Sequence, residues 1–84
     1  MPWRIEYKAS VEHDLRTIDR AARKRIIDDL EAALSRDPHR GEALAGPFKG
    51  LRKYRTGDYR VIYSLQKDSV LVTRIGHRST VNRR

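Results

Sequence analysis

The hydrophobic positions of this chain follow two different periods. In residues 3–7 they alternate, with Trp3, Ile5 and Tyr7 on one side and Arg4 and Glu6 on the other, which predicts a half-buried strand. The period then lengthens. Val11, Leu15 and Ile18 recur at steps of four and three, one face of a helix, with Ser10 at the position of an N-cap and Glu12 near the positive helix end. Asp19 is placed to cap a second helix whose apolar face is Ala22, Ile26, Ile27, Leu30, Ala33 and Leu34. Asp37-Pro38 ends it, because proline pushes the residue before it out of helical geometry. Two helices joined by so short a link predict a helical hairpin.

Residues 38–50 carry Pro38, Gly41, Gly46, Pro47 and Gly50 and read as a loop, with Leu44 and Phe48 expected to pin it to the core. Alternation then returns. Residues 51–56 predict a strand, Thr56-Gly57-Asp58 a turn, and the next strand puts Tyr59, Val61, Tyr63 and Leu65 on one face and Arg60, Ile62 and Ser64 on the other. Lys67-Asp68 marks a second turn, Val70 to Ile75 a last strand, and Gly76 to Arg84 a basic tail without pattern. The order is β-α-α-β-β-β. It predicts an α+β fold, an antiparallel sheet with a helical hairpin packed on one face, as a single domain over residues 1–84.

Charge sharpens this picture. Residues 1–48 hold 9 Lys/Arg and 9 Asp/Glu, whereas residues 49–84 hold 10 and 2, so the whole formal charge of +8 lies in the predicted sheet and tail. Cations along strands keep fixed spacing, and such a surface suits a large anion such as nucleic acid. There is no cysteine, which excludes disulfides and thiolate metal sites and fits the cytoplasm. No apolar run approaches a membrane span, and Met1 to Glu6 do not resemble a secretory signal.

Lys53 and Arg55 are two residues apart on one strand and point to one sheet face. Arg60 lies across the turn, and Arg78 follows the last strand and can fold back over the same face. Gathering like charges is unfavourable unless an anion relieves the repulsion, and arginines fork onto phosphate oxygens. An ordinary solvated strand face is the competing explanation. His13, His39 and His77 lack metal-ligand spacing. His13 is expected at the surface. His77, beside Arg78, is either an acid–base group near neutral pH or a partly buried ring at a strand end. Arg23-Lys24-Arg25 is balanced by Asp28, Asp29 and Glu31 at helical spacing and reads as a solvated helix face.

Leu44-Ala45-Gly46, the run from Gly50 through Gly57-Asp58-Tyr59-Arg60-Val61-Ile62-Tyr63, and Ile75-Gly76-His77-Arg78 together resemble the RelE/ParE superfamily of bacterial and archaeal toxins. The resemblance implies a toxin of a type II toxin–antitoxin pair, with a cognate acidic antitoxin as partner and no small-molecule cofactor or metal. RelE-type members cut mRNA on the ribosome, in the A site, by attack of a 2′-hydroxyl on the adjacent phosphate. Carried over by position, the catalytic set is Lys53, Arg55, Arg60 and Arg78. Lys53 is the candidate base for the 2′-hydroxyl. Arg55 and Arg60 would hold the phosphate, and Arg78 would assist the leaving oxygen. Lys49, Arg52, His77 and Asn82 are the expected substrate-binding residues. Asn82 stands where many RNA-cleaving members carry a tyrosine, and asparagine cannot stack on a base comparably. ParE-type members share the fold and poison DNA gyrase, which is the alternative activity. A plain RNA-binding module is a third class.

Overall fold

The computed structural model describes residues 3–77. Its elements run β1 (Arg4–Tyr7), α1 (Ala9–Arg16), α2 (Arg20–Arg36), β2 (Glu42–Ala43), β3 (Leu51–Thr56), β4 (Tyr59–Leu65) and β5 (Ser69–His77), with a 3-10 turn at Gly46–Phe48. The strands form one sheet in the order β1-β5-β4-β3-β2. The β3-β4-β5 meander is antiparallel, and Gly57, at φ 61°, supplies the left-handed backbone of its first tight turn. Two pairings depart from the sequence reading. β1 runs parallel to β5, matching Arg4–Tyr7 with Ser69–Val72, so the sheet is mixed rather than antiparallel throughout. The two-residue β2 adds to the far edge of β3, inside a stretch whose glycines and prolines predict only loop. The basic tail also starts later than Gly76, because β5 continues through His77.

The helical periods are those of the sequence. Asp19 accepts the Ala22 N–H at 3.4 Å and starts α2. Ala22, Ile26, Leu30 and Leu34 are buried against Tyr54, Val61, Tyr63, Val70, Val72 and Ile75, with Ile27 and Ala33 at the margin. Phe48 corrects an expectation: it is 50 % exposed. The loop is instead pinned by polar groups. Tyr63, fully buried, donates its hydroxyl to the Pro38 carbonyl at 2.8 Å and accepts the Gly41 N–H at 2.9 Å. Arg52 donates to the carbonyls of His39 at 2.9 Å and Gly41 at 2.8 Å.

Val70, Val72 and Ile75 all enter the core, although strict alternation would turn residue 75 outward. The parity changes at a β-bulge. Tyr63 pairs with Val72 and Ile62 with Arg74, leaving Thr73 as the extra residue. Its hydroxyl donates to the Ile62 carbonyl at 3.1 Å. Its own carbonyl accepts the Ser10 hydroxyl at 2.8 Å. The β1 pairing stops at Val72, and α1 lies along the next part of the β5 edge, where Asp14 accepts the Ile75 N–H at 3.0 Å. Ser10 and Asp14 are one helical turn apart, so one face of α1 satisfies the backbone that the bulge disrupts. Ser10 therefore does not cap α1, which follows Lys8 without a side-chain cap bond. Among the described residues, no helix is long and apolar enough to cross a membrane.

Candidate nucleic-acid interface

Register places the predicted cations. Arg55 is the direct cross-strand partner of Arg60, and Arg60 is in turn the partner of Gly76. The neighbouring row on the same face reads Glu42, Lys53, Ile62 and Arg74 from β2 to β5. Directly opposed like charges destabilise a sheet, and Gly76 adds no side chain beside them. Lys53 is half-buried and Arg55 is exposed. Arg60 is only 8 % exposed. The pair therefore consists of one arginine open to solvent and one buried in the sheet face.

Other predicted residues fall elsewhere. Arg52 pairs with Tyr63, so it faces the helical side, and its guanidinium holds the 39–41 carbonyls rather than facing the Lys53 row. His77 pairs with Tyr59, one residue out of step with Arg60, and so lies on the face opposite the Arg55–Arg60 pair. The two rings meet edge to face, with centroids 5.6 Å apart. His77 is exposed, which removes the reading of a partly buried ring. Lys49 is exposed just before β3, at the end of the strand away from Arg55. Arg78 and Asn82 lie outside the described residues.

Tyr54 points away from Lys53 and Arg55, as alternation requires. It is buried under α2 and donates its hydroxyl to Asp29 at 3.1 Å. Burial, and then the hydrogen bond to the Asp29 carboxylate, raises its pKa above the ordinary tyrosine value. Arg40 sits over the ring at 5.9 Å. His13 is exposed, and Lys24 pairs with Asp28 at 3.1 Å, so the balanced-face reading of that helix run holds there. Arg23 is different: it is half-buried and donates to the Ile18 carbonyl at 3.2 Å, closing the turn between the helices.

Sequence reasoning missed Arg74 and Asp14. Asp14 is buried at 8 % exposure. It accepts Arg74 Nε at 2.8 Å on Oδ2 and Nη2 at 3.1 Å on Oδ1. That two-point bond raises the Arg74 pKa further above its already basic value. Without the Thr73 bulge, Arg74 would fall on the core side, and nothing in the local sequence marks the bulge.

The face thus groups cations around Ile62, and its exposed arginines, Arg55 and Arg74, are of the residue type that forks onto anionic oxygens. A family model, that of the ParE toxin of the type II toxin–antitoxin system parDE, matches residues 5–82. The Mycobacterium tuberculosis toxin RelE is 29 % identical over 65 residues, covering 76 % of this chain and 67 % of that protein. The crystal structure of the M. tuberculosis toxin–antitoxin complex RelBE2 contains a chain that superposes with a TM-score of 0.88 at 24 % identity, over 94 % of both chains. The archaeal RelE–RelB complex of Pyrococcus horikoshii superposes with a TM-score of 0.67 at 27 % identity, over 96 % of this chain and all of that one. With the match running from β1 past the end of β5, the chain belongs to the ParE toxin family of type II toxin–antitoxin systems, within the RelE/ParE superfamily.

Proposed function

We propose that this toxin is a ribosome-dependent mRNA endonuclease. The observation that carries the reading is the direct pairing of Arg55 with Arg60, with Lys53 one step along the same face. Cations grouped on one face suit a phosphorane, whose developing negative charge they would stabilise. The 2′-oxygen attacks the adjacent phosphorus and the bond to the 5′-oxygen breaks, leaving a cyclic phosphate and a 5′-hydroxyl. Lys53 takes the proton from the 2′-hydroxyl. Arg55 is the exposed donor to the phosphate oxygens. Arg60, being buried, supplies a fixed charge behind them. Arg78 assists the departing 5′-oxygen. The relatives from M. tuberculosis and P. horikoshii are complexes of toxin with antitoxin. By extension, the partner here is an antitoxin whose acidity complements the +8 charge, and the site of action is the cytoplasm.

A second reading, poisoning of DNA gyrase, is favoured by the match to the ParE model and by Asn82 at the position of a stacking tyrosine. Toeprinting of a translated mRNA separates the two. Cuts within the A-site codon support the endonuclease. Intact mRNA together with gyrase-trapped DNA breaks supports the alternative.

A further inference from the structure

We infer that Arg74 is an additional RNA-backbone contact, held in position by Asp14. The inference rests on the endonuclease reading and extends its substrate path beyond the reacting phosphate. Three observations lead to it. The Thr73 bulge turns residue 74 from the core face to the cation face, where it completes the row of Lys53 and Ile62. Bulges are a common means of re-aiming a side chain beside a functional site. The pair is also divided unequally: the Asp14 side chain is 10 % exposed, whereas that of Arg74 is 55 % exposed. Finally, Asp14 takes only the Nε–Nη2 side of the guanidinium. Two of the five N–H donors are used there, and the end-on Nη1–Nη2 edge keeps the fork that matches a phosphate.

Arg74 stands two strands away from Lys53, about 10 Å at ordinary strand spacing. Its guanidinium is also held by Asp14 of α1, at the β5 edge, rather than reaching toward Lys53, so Arg74 serves a neighbouring phosphate. Asp14 cancels its formal charge. What Arg74 contributes is therefore a directional hydrogen-bonding edge with its side-chain rotamer already fixed, rather than a general attraction. Asp14 is the positioning residue, since it also holds the Ile75 N–H at 3.0 Å and so ties the guanidinium to the strand.

The test is single-turnover cleavage of ribosome-bound mRNA by the full chain, with rate measured against toxin concentration. The double variant Asp14→Asn/Arg74→Gln removes one charge of each sign and leaves the net charge at +8. The side-chain amide carbonyl introduced at position 14 can still accept the Ile75 N–H. A half-saturating concentration raised about tenfold, with a maximal rate within about threefold of wild type, is expected for a lost charge-assisted contact. Arg74→Lys keeps the charge but loses the fork, and should raise the half-saturating concentration by a smaller factor. A folded double variant with unchanged half-saturation, even if it melts earlier, would reduce the pair to a structural clasp and overturn the inference. So would a fall in maximal rate alone. If the double variant does not fold, Arg74→Lys decides, and unchanged half-saturation overturns it. Wild-type protein that cuts no mRNA would remove the endonuclease reading itself, and this inference with it.

Discussion

Gly41→Ala tests whether the loop ahead of β3 is held by a contact too close for any side chain. A Cβ at residue 41 would lie 2.5 Å from the Tyr63 hydroxyl oxygen, 2.8 Å from the Lys53 carbonyl oxygen and 2.9 Å from Tyr63 Cε1. None of these atoms can move freely. Tyr63 is fully buried and its hydroxyl bridges Pro38 and Gly41, while the Lys53 carbonyl belongs to the β3 backbone. Forcing one carbon into such a site costs about 1–3 kcal/mol, and each strained hydrogen bond adds up to roughly 1 kcal/mol. Alanine also narrows the unfolded ensemble, offsetting about 0.4–1 kcal/mol. A net loss of about 1–3 kcal/mol is expected, read as a lower urea midpoint at unchanged slope. Tyr63→Phe removes the atom at 2.5 Å but leaves the carbonyl at 2.8 Å. The double variant should therefore lose less than the sum of the singles, by roughly 0.5–2 kcal/mol. Stability within about 0.5 kcal/mol of wild type for Gly41→Ala, or strict additivity, would refute the reasoning. Because the clash involves the Lys53 carbonyl, cleavage by Gly41→Ala should also slow under conditions where it remains folded.

Leu30→Ala, at a position with no exposed surface, should lose about 2–5 kcal/mol in the same titration; a loss below about 0.5 kcal/mol would mean α2 is turned differently. Arg55→Ala should lower single-turnover cleavage by about 10²-fold or more with little change in stability, while exposed Lys24→Ala leaves cleavage intact; equal losses would point to overall charge. Arg60→Ala should lower both activity and stability, because its stem is buried. Asn82→Tyr should raise cleavage if base stacking is what the natural residue lacks, and unchanged rates would count against that account. The unfolded chain loses the Tyr54 proton near the ordinary tyrosine value, about 10, while the fold holds it to higher pH. The unfolded state then binds fewer protons, so stability should fall as pH rises above about 10. Tyr54→Phe should flatten that fall, and an unaltered slope in alkaline urea titrations would exclude Tyr54 as its source.

The shared face of the candidate cations is legible in the sequence because it depends on local spacing. Lys53, Arg55 and Arg60 share a face through a two-residue period and a tight turn, both readable along the chain. Arg52 and His77, expected from the family resemblance to bind substrate, lie on the face opposite Lys53, Arg55 and Arg60, which only the register and the β5 bulge decide. Arg74 could not be placed at all, because one extra residue in β5 inverts the parity of everything after it.

The sequence by itself determined the helical hairpin, the phase of α2 against the core, the meander and the concentration of charge on it. These follow from hydrophobic period, capping and turn chemistry, which act over a few residues. Tertiary structure alone decided that β1 joins the sheet parallel to β5, that Ser10 and Asp14 serve the bulge, and that Phe48 stays in solvent while Tyr63 holds the loop. Each of these joins residues more than twenty positions apart or depends on which surface is left uncovered. Backbone groups at a sheet edge or bulge must find a partner somewhere, and only the assembled fold determines which side chain is close enough to provide it.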